Sequence, residues 1–96
     1  MYEVVISGTE VIALSPPAVL DRAERFLAGQ GYAPVRRKAT TLTVEREGAE
    51  GNLVVMAVPQ PQGGVKIKVR SDDREGLQER RGLWTLWAEN LPKERP

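Results

Sequence analysis

Between Tyr32 and Arg70 the chain leaves room for little except antiparallel sheet. Four strand-like segments, Tyr32 to Lys38, Thr41 to Glu47, Leu53 to Val58 and Val65 to Arg70, follow one another with only short turns between them. Parallel neighbours need a long crossover, so strands joined this closely pair antiparallel. Gly48-Ala49-Glu50-Gly51-Asn52 and Pro59-Gln60-Pro61-Gln62-Gly63-Gly64 supply the glycines and prolines that sharp reversals use. Thr41 to Glu45 and Val65 to Arg70 alternate with period two, which directs Leu42, Val44, Val65, Ile67 and Val69 to a buried face. Leu53 to Val58 breaks the alternation, being apolar at every position.

The flanks add one more strand region and two helices. Tyr2 to Ile6 and Val11 to Leu14 are rich in β-branched residues, and Ser7-Gly8-Thr9-Glu10 between them fits either a hairpin or a bulged long strand. Ser15 followed by Pro16 and Pro17 predicts a helix start, because proline has no N–H to leave unpaired there. Val19, Leu20, Ala23, Phe26 and Leu27 then gather on an arc of about 120°. Asp21 and Arg25 are spaced to pair along the helix. Gly31 is placed to take a left-handed conformation after the helix stops near Gln30. A second helix is predicted from a Ser71 cap, with Asp72, Asp73 and Glu75 in its first turn, to about Asn90. Leu77, Trp84, Trp87, Ala88 and Leu91 share its core face; Leu83 and Leu86 widen the apolar arc to roughly 200°.

The expectation is one α+β domain over residues 1–91, with an antiparallel sheet of about five strands and two helices in the order β-α-β-β-β-β-α. A short polar tail, expected to fray, follows at 92–96. The element order resembles the β-α-β4-α unit of the TATA-box-binding-protein-like and helix-grip folds. That resemblance implies a curved antiparallel sheet packed on its helices, and it carries no site residue with it.

Ninety-six residues suffice for one core. Fourteen Lys and Arg against thirteen Asp and Glu give a net charge of +1, too small to draw nucleic acid or an acidic membrane to the whole molecule. Any basic site is therefore local. Cysteine and histidine are both absent, which excludes disulfides, Ser-His-Asp triads, Cys-His dyads and thiolate or imidazole metal sites. A cysteine-free chain whose first residues do not read as a signal peptide is expected in the cytoplasm. Its longest apolar run, Leu53 to Val58, falls far short of the roughly 20 residues that span a bilayer as a helix.

Carboxylates are the remaining catalytic candidates. Glu45, Glu47 and Glu50 cluster near one strand end, but charges there also guard a solvated edge against aggregation. Asp72, Asp73 and Glu75 suit the positive end of a helix. The glycines form no phosphate-cradling motif. No catalytic residue, metal or cofactor is expected.

Two surfaces are candidates for binding. Arg36 and Lys38 on one strand, with Lys66, Lys68 and Arg70 on another, form a possible basic face, although Tyr32 is the only aromatic in these strands on which a base could stack. The two-sided apolar strand around Met56, and the wide helix face carrying Leu83, Trp84, Leu86 and Trp87, offer a possible interface or a pocket with Phe26. The reading that follows is a cytoplasmic, non-catalytic binding domain that forms a homodimer. The alternatives are a carrier of a small apolar ligand in a pocket between helix and sheet, and a nucleic-acid binder using the basic strand face.

Overall fold

A computed structural model of the chain describes residues 2–6, 11–46, 52–61, 63–71, 77 and 81–94. The architecture is α+β, with an antiparallel sheet and two helices in the predicted order. The elements are β1 (Tyr2–Val5), β2 (Val11–Ile12), α1 (Pro16–Ala28), β3 (Tyr32–Arg37), β4 (Thr41–Arg46), β5 (Leu53–Pro59), β6 (Val65–Ser71), α2 (Arg81–Glu89) and β7 (Lys93–Glu94). Across the sheet they run β3-β4-β5-β6-β2-β7, with β1 also paired to β6.

β1 and β2 are two parts of one strand rather than the arms of a hairpin. Both run antiparallel to β6, with Tyr2 opposite Ser71 and Ile12 opposite Val65. The Ile6 amide donates to the Ile67 carbonyl at 3.0 Å. From there to Ile12 the chain advances six residues while β6 retreats two, and residues 7–10 lie outside the described residues.

α1 begins as its sequence dictates. The Ser15 hydroxyl accepts from the Ala18 amide at 3.3 Å, and Pro16 and Pro17 occupy the first helical positions. It ends at Ala28, and Gly31 adopts φ +86° before β3, the left-handed region that glycine enters without strain. Gly63 and Gly64, both at positive φ, make the turn between β5 and β6.

Val19, Leu20 and Ala23 on α1 are fully buried against Leu42, Val44, Val55, Ala57, Ile67 and Val69 of the sheet. Trp84, Ala88 and Leu91, with the helical residue Leu77, bring α2 to the same side. Phe26 joins the helices: its ring lies edge-on to Trp84 at 5.1 Å and stacks on Trp87 at 5.6 Å.

Two local expectations change. Asp21 pairs with Arg37 of β3 instead of Arg25. Arg37 also reaches Glu24 at 3.7 Å and donates to the Pro17 carbonyl at 2.9 Å, pinning the first sheet edge to α1. The tail expected to fray supplies β7, whose Lys93 and Glu94 pair with Ile12 and Val11, and the Ala13 amide donates to the Pro92 carbonyl at 2.8 Å. Ser71 closes β6, and the helix start at 72–76 that it was expected to cap lies outside the described residues.

Candidate functional site

Both helices lie on one side of the sheet, leaving its other face as a surface with a distinct chemical pattern. Antiparallel pairing fixes that pattern row by row. Arg36, Thr43, Val54, Arg70 and Glu3 form one row across β3, β4, β5, β6 and β1. The next row holds Thr41, Met56, Lys68 and Val5; the row beyond begins with Val58 and Lys66. Most of these side chains are half-buried by their neighbours, while Arg36, Glu3 and Val5 are exposed.

β4 and β6 obey the rule for a sheet that faces water on one side, with apolar residues inward and threonine, glutamate, lysine or arginine outward. β5 does not. Its outward residues are Val54, Met56 and Val58, an apolar stripe in the middle of the open face. The six apolar residues seen in the sequence thus serve two surfaces, three towards the core and three away from it.

The basic residues are less concentrated than their spacing suggests. Lys66, Lys68 and Arg70 do line the outside of β6, but Glu3 sits beside them on β1. Its carboxylate accepts from Arg70 Nη2 at 2.9 Å and lies 3.5 Å from Lys68 Nζ. The Arg70 hydrogen bond, helped by Lys68, holds the Glu3 carboxyl below its ordinary pKa against the opposing effect of partial desolvation. Arg36 shares the face but stands three strands from β6, about 14 Å at the usual strand spacing. Lys38 follows β3 in the turn, where its amide donates to the Thr41 carbonyl at 2.9 Å.

A β-bulge sets the direction of Arg36. Pro34 lies opposite Val44 and Arg36 opposite Thr43, so Val35 is the extra residue, and it is 53% exposed. The shift aims Arg36 to the open face and turns Arg37 towards α1. Tyr32 faces the helices as well, packed against the core with the Arg46 guanidinium 5.5 Å from its ring centre. No aromatic of the described residues therefore stands on the open face.

The pocket envisaged among Phe26, Met56, Trp84 and Trp87 does not form. Met56 is on the opposite side of the sheet, and the three rings fill the space between the helices against one another, with Trp84 and Trp87 edge to face at 5.6 Å. Trp84 is buried and Trp87 half-buried; Leu83 and Leu86 stay exposed at 38% and 56%. Among the described residues, an open groove of about 360 Å³ lies between the helices, lined by Arg22, Arg25, Trp87, Asn90 and Leu91. Among the described residues, neither Arg22 nor Arg25 has a carboxylate partner, because Arg37 engages both nearby carboxylates of α1.

Glu45 is exposed on the open face, while Glu47, Glu50, Asp72, Asp73 and Glu75 lie outside the described residues. No group of three metal-ligating side chains occurs among the described residues, and none of their helices is long and apolar enough to cross a membrane. In comparisons with known proteins, no family model matches the chain, and neither a curated protein nor a solved structure matches it.

Proposed function

We propose that this chain is a non-catalytic binding domain whose first partner is a second copy of itself, held through the open face of the sheet. The outward stripe of Val54, Met56 and Val58 carries the proposal. A wet sheet face alternates with its buried one, and a central strand that ignores the alternation gains by burying its second side. The tryptophans of α2, the competing surface for self-association, are occupied with Phe26, leaving Leu83 and Leu86 as its exposed leucines. The edge strand β3 is poorly suited to extending the sheet, since Pro34 lacks an N–H and the bulge at Val35 disrupts the ladder.

Light scattering over a range of concentrations, at low and high salt, tests the reading. A salt-resistant dimer that becomes monomeric in Met56→Lys, with an unchanged far-ultraviolet spectrum, is the expected outcome. A monomer at every concentration refutes it.

A second reading, a carrier of a small ligand, is favoured by the groove between the helices. Two guanidinium groups with no carboxylate partner among the described residues, beside a half-buried indole, suit an anionic planar molecule better than a purely apolar one. Quenching of tryptophan fluorescence by an aromatic carboxylate, lost in the Arg22→Ala, Arg25→Ala double variant, is its signature. Nucleic-acid binding has less support, because Glu3 neutralises the middle of the basic row and the face offers no stacking platform.

A further inference from the structure

Resting on the homodimer reading, we infer that the two copies stack face to face about a two-fold axis running along β5, rather than across the strands. The argument comes from the charge pattern of the open face. Packed sheets stack about 10 Å apart with their strands within about 30° of one another. A closed dimer of one face then has two simple choices of axis in the plane between the sheets.

An axis perpendicular to the strands places each strand over its own copy. The basic row of β6, Lys66, Lys68 and Arg70, then lies over the same row of the partner, and Glu3 gains no new cation. Like charges face one another where water has been removed, an arrangement that interfaces avoid.

An axis along β5 exchanges β4 with β6 and β3 with β1 while preserving the rows. In the first row Arg36 comes over Glu3 of the partner subunit, and Thr43 over Arg70 of the partner subunit. Val54 comes over its own copy. In the second row Thr41 lies over Lys68 of the partner subunit, and Met56 over its own copy. Each basic side chain of these two rows meets a carboxylate or a hydroxyl, and the apolar stripe meets itself. The order Arg36, Thr43, Val54, Arg70, Glu3 is self-complementary in this orientation. Twist between the sheets displaces positions two strands from the axis by about 5 Å, an offset that the long Arg36 side chain spans. The contact also uses Arg36, which has no salt-bridge partner among the described residues, and draws on the spare acceptor capacity of a carboxylate already held ionised by Arg70.

The absence of cysteine makes the axis directly measurable, because each introduced thiol is unique. Backbones about 10 Å apart are too distant for a disulfide, so a short bis-maleimide is the probe. Met56→Cys, Thr41→Cys and Lys68→Cys are prepared separately, and their masses are read after cross-linking at a concentration where light scattering reports a dimer. Efficient cross-linking of Met56→Cys to itself is expected, together with a cross-linked product from mixed Thr41→Cys and Lys68→Cys at least about tenfold above either alone. Arg36→Glu should weaken dimerisation about tenfold, with circular dichroism unchanged. Self-cross-linking of Lys68→Cys overturns the axis while leaving the homodimer intact. A dimer with no cross-link at any of the three positions places the interface elsewhere and also overturns the axis. A monomer by light scattering removes the homodimer itself, and the axis with it.

Discussion

The two faces of the sheet are built from the same strands, often from adjacent residues, yet follow different rules. Towards the helices, Leu42, Val44, Val55, Ile67 and Val69 are completely buried, in one core with Val19, Leu20 and Ala23 of α1 and Trp84 of α2. On the other face Thr43, Val54, Lys68 and Arg70 are half-buried, and charge is handled in the plane of the sheet through Glu3. The inner face is a packing problem with essentially one solution. The outer face is a pattern, tolerant of change for folding and, in the proposed dimer, sensitive to change for association. On that proposal, stability and association fall to alternate residues.

The sharpest way to break this comparison is to make equivalent truncations on adjacent residues of β6. Ile67→Ala removes a fully buried side chain and should cost about 3 kcal/mol in urea denaturation. Lys66→Ala, one residue away and facing out, should stay within about 0.5 kcal/mol. Comparable losses would show that the outer face is also part of the folding core. Ser15→Ala should cost about 1 kcal/mol through the α1 cap, lowering the melting temperature without altering the oligomer. Arg37→Ala, which cuts the half-exposed tie from β3 to α1, should cost less than about 1 kcal/mol, most visibly at low salt.

The smallest effect concerns Glu3. Its pKa is lower in the folded chain than in the unfolded one, so its contribution is present above the ordinary carboxylate pKa and lost as pH falls through the lowered folded value. The melting-temperature gap between the native chain and Glu3→Gln should therefore close on acidification. A gap independent of pH would mean that the ion pairs with Lys68 and Arg70 do not operate in solution.

Much of the inner face was legible in the sequence because period-two alternation and helical spacing report burial directly. Leu42, Val44, Val65, Ile67 and Val69 lie where those periods place them, and Ser15-Pro16-Pro17 starts α1. The outer face was legible only strand by strand. Which rows become neighbours depends on strand order, and nothing in the local pattern of Glu3 announces that β1 pairs with β6. The turn of Arg37 towards α1 follows from the bulge at Val35, for which Pro34 inside a strand was the available signal. β7, two residues long, is too short to show a period. The pocket expectation failed because a helical arc does not reveal that three rings will fill the space between the helices.

The register of β1 also has a kinetic meaning. β3 to β6 are joined by short turns, so their ladders close over small chain separations. Tyr2 meets Ser71 across 69 residues. Loop closure over that distance comes late, after the local hairpins have formed the surface on which β1 docks. With the still longer-range pairing of Val11 and Glu94, β1 is accordingly among the last parts of the sheet to close and the first to open. If β1 supplies Glu3 to the facing copy, the molecule becomes competent to associate only when this long-range ladder has closed.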